Sequence, residues 1–381
     1  MKTNKKKLII SIIAILVTLG AIGGSLAWFF INESSYVDYG SDIACEAGQS
    51  LEISNDGGKT WSGFIKNDGF NSSTVDITGD GINMFRPVSI DETTNPTGFQ
   101  PAVALDEEGT GDYIDINLMF RTTSKMNVYL NGESYISPTN PTLGGNMFGN
   151  FSRDNIAGAT RVAFIEVTED EETGDEEYEL KMIWAPNPYY ELSKSAGGVY
   201  TFTSSGTRET YYYTEYVDGE YVKKAYTSDD FASGKFLAGN TYADISNGGE
   251  SAVLFSTNPT AGNFDYKKMI IRIWFEGTDR EASEALAGGK VSAKLKFTGI
   301  NKSEPSEETM AALDNIEYDT STKKLTGVLS GMYFSTNGYT WTAYNEAKPN
   351  LPSLSSGMKL YFRYNESKNV LKTDVKTVTI P

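Results

Sequence analysis

The chain of 381 residues contains no histidine. That absence removes Ser-His-Asp and Cys-His nucleophilic catalysis, the His-containing zinc sites and the His-Glu-x-x-His metalloprotease helix together. Cys45 is the one cysteine, which excludes an internal disulfide and predicts a buried or unpaired thiol. Asp42-Ile43-Ala44-Cys45 ends like a lipid-attachment box, but it lies well beyond the N-terminal apolar run and carries an aspartate, so that reading is rejected. What remains for chemistry is carboxylates, hydroxyls and rings. Carboxylate pairs suited to glycoside hydrolysis exist in so acidic a chain, yet no local signature selects a pair.

Ser54-Asn-Asp56-Gly-Gly58-Lys-Thr60-Trp61 has the spacing S-x-D-x-G-x-T-W. Ser335-Thr-Asn337-Gly338-Tyr-Thr340-Trp341 is an echo one residue shorter. The Asp or Asn side chain caps the turn's amides, Gly supplies a positive φ and Trp packs beneath the hairpin. The first resembles the Asp-box of sialidases, where it is a fold element remote from the catalytic centre. Asp76-Ile-Thr-Gly-Asp80-Gly81 begins like a calcium loop, but its twelfth position is Pro87, so an ordinary turn is expected. The run Glu169 to Glu177 is read as a solvated hairpin loop, with calcium bridging as the alternative. The tyrosines Tyr211, Tyr212, Tyr213, Tyr216, Tyr221 and Tyr226, with Trp184, Tyr189 and Tyr190, either pack across a hairpin or form a platform for glycan or protein.

Strands must position these groups. Tyr113 to Phe120 alternates, with Ile114, Ile116, Leu118 and Phe120 on one face. Met126 to Leu130 follows, closed by the turn pair Asn131-Gly132. Arg161–Thr168 and Tyr178–Trp184 flank the acidic loop as a long hairpin. Tyr211–Val217 and Glu220–Tyr226 form another, its Asp218-Gly219 pair predicting a type I′ turn. Lys267–Phe275 is an apolar strand, and Lys290–Phe297 places Val291, Ala293, Leu295 and Phe297 inward and Ser292, Lys294 and Lys296 outward. Thr278 to Glu281 has the form of a capping box, which predicts a short helix over 279–286. With 37 glycines and 12% aromatic residues, an all-β fold with tight turns is expected.

The N-terminus carries the clearest functional signal. Lys5, Lys6 and Lys7 precede an apolar run, and Gly23-Gly24-Ser25-Leu26-Ala27 precedes Trp28-Phe29-Phe30. The lysines stay on the cytoplasmic side and the chain is delivered outward. Ser25 and Ala27 form the small-residue pair a signal peptidase requires, with cleavage before Trp28. The alternative is an uncleaved anchor over residues 8–26, long enough to span a bilayer at about 1.5 Å per residue. The whole chain carries a net charge of −17; without Lys2, Lys5, Lys6 and Lys7 it becomes −21, from 29 basic and 50 acidic side chains. Such a balance argues against nucleic acid and anionic lipid as partners.

Gly-Gly-Ser-Leu-Ala-Trp-Phe resembles the export signal of the TasA/camelysin group of Gram-positive surface proteins, with Ser25 where threonine is usual. The resemblance implies processing by a SipW-type signal peptidase and a jelly-roll-like β-sandwich with insertions. Ile271 to Arg280, Leu286 to Gly289, Leu295 to Phe297, Ile156 to Val162 and Ile183 to Pro186 resemble segments of surface proteins sharing that signal. Proteins of the camelysin type are described as metalloproteases; this chain lacks the residues for the usual zinc version. The C-terminal strands, expected at Leu325–Leu329, Met332–Ser335, Thr340–Thr342, Met358–Tyr364 and Asp374–Ile380, resemble small immunoglobulin- or fibronectin-like modules of bacterial surface proteins.

The expected organisation is a signal peptide or anchor at 1–27, a β-sandwich domain at 28–300, a linker at 301–315 and a small Ig-like β domain at 316–381. About 350 mature residues suit two domains. The expected function is a secreted cell-surface or matrix protein, structural or adhesive, without enzymatic activity, cofactor or metal. The alternative is a carbohydrate-binding or carbohydrate-active surface protein. Expected partners are the signal peptidase, other copies or matrix proteins, and glycans. Trp28, Phe29, Phe30 and Ile31 form an apolar segment that either adds as a strand to a neighbouring molecule or completes its own sheet.

Overall fold

Ile114–Thr122 forms a strand because its apolar residues recur at every second position; Ile114, Ile116, Leu118 and Phe120 are all buried. In this computed structural model the described residues are 31–34, 42–47, 51–68, 77–88, 98–106, 110–131, 134–138, 153–170, 172–186, 191–194, 200–203, 210–239, 253–260, 262–279, 282, 290–300, 303, 305–338, 340–365, 370 and 372–381. They are mostly β-strands arranged in several sheets. Among them no helix is long and apolar enough to cross a membrane.

The Ile114 strand lies in a six-stranded sheet. Its spatial order is Phe236–Ala238, Glu176–Ala185, Thr160–Glu169, Asp265–Phe275, Ile114–Thr122 and Leu51–Ser54. Neighbours are antiparallel except for the first pair, which is parallel. A seven-stranded sheet is built around Lys290–Ile300. Met126–Leu130 and Tyr135–Pro138 pair with this central strand, and so do Ile31–Ser34 and Asp42–Ala47. Val253–Thr257 and Phe64–Asp68 extend the sheet.

The two sheets face each other across a shared core, which gives a sandwich-like body. Phe120 meets Phe255 at 4.9 Å and Phe297 at 5.2 Å between ring centroids, and Phe164 meets Phe297 at 6.3 Å. Met182 and Trp184 join the same cluster from the 176–185 strand, and Met269, Ile271 and Ile273 from the 265–275 strand. The opposite face of the six-stranded sheet carries a second apolar cluster, with Ala163, Ile165, Ile183 and Trp274. It is covered by a small sheet of Thr78–Gly79, Met84–Pro87 and Phe99–Pro101, by the hairpin Tyr212–Val217/Glu220–Ala225, and by the helix Ser228–Ser233.

A third cluster draws only on residues 313–380. There Thr342–Ala343, Met332–Ser335, Lys359–Tyr364 and Lys376–Thr379 form a four-stranded sheet in that order, beside a hairpin of Glu317–Asp319 and Lys324–Thr326. The strand expected at Leu325–Leu329 is thus a shorter one displaced toward the N-terminus. Glu307–Asp314, within the segment expected as a linker, is a helix capped by Ser306, and its Leu313 is buried in this third cluster.

Three further expectations meet the structure differently. The strands either side of Asn131-Gly132 do not pair with each other: both pair antiparallel, in turn, with the same central strand, and Gly132 itself lies outside the described residues. Lys296 was expected to face solvent and is 2% exposed. It sits on the central strand, where Ser134 bonds to its backbone amide and carbonyl, and the face its side chain takes is covered within the fold. The helix expected over 279–286 falls mainly outside the described residues; Thr278, its expected cap, instead donates to the Tyr212 carbonyl and the Glu276 carboxylate. By contrast, Asp218 and Gly219 have φ of 52° and 89°, the left-handed pair a type I′ turn requires.

Candidate functional site

The two Ser…Trp hairpins take the same local form. Ser54 accepts from the Gly58 amide at 2.9 Å; Asp56 accepts from the Lys59 and Thr60 amides at 2.9 Å and from the Thr60 hydroxyl at 2.7 Å. Bonds led by the Thr60 hydroxyl hold the Asp56 carboxyl well below the usual carboxylate range. In the second copy Ser335 accepts from the Gly338 amide and Asn337 from the Thr340 amide, each at 2.9 Å. The register around them also matches. Ile53 pairs with Ser62 as Phe334 pairs with Thr342, one residue before the serine and one after the tryptophan. Two residues before each serine, the antiparallel partner is an arginine: Glu52 faces Arg121 and Tyr333 faces Arg363.

Each arginine lies over the hairpin's tryptophan. The Arg121 guanidinium is 4.4 Å from the Trp61 ring centroid, and that of Arg363 is 3.8 Å from Trp341. A cation against a ring face is favourable by about 0.5–1 kcal/mol at exposed sites. Sequence inspection found the boxes and missed the arginines, which lie far along the chain. Both arginines follow a phenylalanine, but so does Arg86, so the Phe-Arg dipeptide alone did not mark them.

The surroundings of the two copies differ. The second turn packs on the helix Ser228–Ser233: a Cβ at Gly338, whose φ is 81°, would overlap the Ser228 carbonyl and stand 2.8 Å from the Ala232 amide. Tyr361, opposite Ser335, bonds to Ser228 and to Asp229, and Lys359 pairs with Asp229. This seam borders a cavity of about 410 Å³ lined in part by Asp229, Ser233, Tyr361 and Thr373. Gly338→Ala therefore combines strain with a backbone clash. The substitution is expected to loosen the seam, read as faster amide exchange over 228–233 with exchange over 114–122 unchanged.

On the covered part of the six-stranded sheet, titratable groups meet protein partners. Arg272 makes a two-pronged pair with Asp115, at 2.8 and 2.7 Å, and donates to the Ile82 carbonyl at 2.6 Å. Arg161 pairs with Asp279, both side chains 1% exposed. Asp80, in the segment compared with a calcium loop, spends its carboxylate on the Ile82 and Asn83 amides, as an ordinary turn does. Glu276 accepts from the Trp274 indole at 3.0 Å and the Thr278 hydroxyl at 2.8 Å. Burial pushes its pKa up.

A carboxyl raised in this way binds more protons folded than unfolded. Its stabilising contribution is complete below the ordinary carboxylate range and is lost as pH rises through the raised value. Glu276→Gln is expected to raise Tm relative to the parent more at pH ~7.5 than at pH ~4.5.

The other expected groups are placed as follows. Ser25, Ala27, Trp28, Phe29 and Phe30 lie outside the described residues, as do Asp76, Tyr189 and Tyr190. Ile31 begins the strand that pairs with Lys290–Ala293 of the same chain. Cys45 lies on a strand paired with Leu295 and Ile65. Trp184 is fully buried with its indole donating to the Gly239 carbonyl, so it belongs to the core and to no platform. Tyr211 is buried and Tyr226 stacks on Phe236 at 4.0 Å, whereas Tyr212 and Tyr216 are exposed. In the acidic loop Asp170 accepts from the Glu172 and Thr173 amides, and Glu176 pairs with Lys268. Among the described residues no cluster of three His, Cys, Asp or Glu side chains is placed to hold a metal.

Comparison with protein-family models, with curated proteins and with solved structures finds no match for the chain.

Proposed function

We propose that the chain is an exported cell-surface or extracellular-matrix protein with a structural or adhesive role, released by a SipW-type signal peptidase before Trp28. In this reading it belongs with the TasA/camelysin-like surface proteins, residues 28–300 being a jelly-roll-like sandwich with insertions and 316–381 an Ig-like module. Residues 5–30 support export, and the acidic charge supports partners other than nucleic acid.

The observation that carries the non-enzymatic part of the reading is the disposition of buried charge. Arg161 and Arg272 are ion-paired with Asp279 and Asp115, and Glu276 accepts from the Trp274 indole, an arrangement suited to a scaffold. The pairing of Ile31–Ser34 with its own chain favours an accessory subunit over a head-to-tail fibre.

Protease shaving of intact cells tests this. Fragments of residues 28–381 released without lysis are expected, and a chain protected until lysis contradicts the proposal. Electron microscopy of mature protein, with and without residues 28–35, is expected to show monodisperse particles in both cases. Filaments that vanish with the segment would instead establish strand exchange.

A further inference from the structure

Described residues cover one part of the outer face of the six-stranded sheet and leave another part open. Among the described residues, the open part lies beside the first Ser…Trp hairpin. Trp61, Phe264 and Tyr266 meet there, with centroids 5.7 Å apart for Trp61–Tyr266 and 6.1 Å for Phe264–Tyr266. Phe264 is 41% and Tyr266 51% exposed. Arg121 lies over both the Trp61 and the Phe264 rings, 4.4 and 4.3 Å from their centroids, and its Nε donates to Glu52 at 2.6 Å. Glu52, Arg121 and Tyr266 face one another in register across three strands, so the group stands on the rigid part of the sheet.

From this geometry we infer that the patch is a binding surface for a neutral pyranose polymer. The inference rests on the proposed adhesive role and gives it a ligand class. The exposed rings of Phe264 and Tyr266, tilted at 50° to each other, offer separate faces to the C–H side of a sugar and do not form one flush apolar plane. The Arg121–Glu52 pair supplies fixed donors and acceptors at the rim, where ring hydroxyls would fall. A net charge of −17 disfavours anionic polymers and nucleic acid on the same rings.

The second hairpin copy provides an internal contrast. Its turn is occupied by the helix Ser228–Ser233, whereas the nearest atoms to a Cβ at Gly58, the counterpart of Gly338, belong to Trp61 of the same hairpin and to Met119 of the neighbouring strand. Among the described residues, no helix lies on the first copy as one does on the second.

The test is affinity electrophoresis of the mature full-length protein through gels containing hydroxyethyl cellulose, mannan or galactomannan, with polygalacturonate as the anionic comparison. Retardation by at least one neutral polymer is expected. Phe264→Ala/Tyr266→Ala should weaken it at least about tenfold, with Tm held within about 2 °C because both rings are surface groups. Three results would each overturn the site: no retardation by any neutral polymer, retardation unchanged in the double variant, or retardation by polygalacturonate alone. Sedimentation of both forms closes the protein alternative, since self-association lost in the double variant would make the patch a contact between copies. Protease shaving is independent of these outcomes, so a failed sugar site leaves the export reading standing, and the reverse.

Discussion

Arg161→Met is expected to cost about 3–5 kcal/mol of stability, because it removes the cation from the buried Asp279 carboxyl in a place water does not reach. Both side chains are 1% exposed. Arg161 also donates to the Thr160 carbonyl at 2.9 Å and the Gly158 carbonyl at 3.3 Å, and lies 5.2 Å from the Tyr211 ring centroid. The pair is thus a clamp between the 160–169 strand and the loop after the 265–275 strand. Removing both charges together should be far milder, since a neutral pair carries no ionic desolvation cost. In urea denaturation the double variant Arg161→Met/Asp279→Asn should recover at least half of the loss. A single variant within about 1 kcal/mol of the parent would show that the pair is not buried as described.

Phe120→Ala should cost about 3–5 kcal/mol by a different route, cavity formation between the two large sheets. Phe120 is fully buried and touches the seven-stranded sheet through Phe255 and Phe297. The neighbouring strands hold these rings apart, so the void cannot collapse without breaking pairing. Phe120→Leu, which keeps most of the volume, should cost much less. The urea midpoint measures both. Equal, small losses for the two variants would mean that the sheets do not meet at this residue.

What was legible in the sequence follows from how far each signal travels. Strands with one face on the core declare themselves by period-two alternation, and Ile114–Thr122 was readable for that reason. The 160–169/176–185 hairpin and the Asp218-Gly219 turn are equally local and were readable too. The helix Glu307–Asp314 was locally marked by Ser306 and two following glutamates, but its short length and polar sequence resemble a linker.

Features decided by distant pairing were not legible. The register of Glu52 with Arg121 spans 69 residues, and nothing near Trp61 announces the arginine that covers it. Lys296 read as an outward residue because alternation reports which face a side chain takes, and says nothing of what later covers that face. The same holds for Arg161 and Glu276, whose burial depends on segments laid over the sheet from elsewhere in the chain. For the proposed site, the hairpin was visible, whereas Phe264 and Tyr266 joined it only once the 265–275 strand was set beside the 114–122 strand.

The reading as a displayed scaffold turns most directly on where the mature chain begins. N-terminal sequencing of the protein recovered outside the cell is expected to start at Trp28, with Ser25 and Ala27 on the discarded side of the cut. An intact Met1 on the chain in the membrane fraction, with no shorter form released, would contradict it.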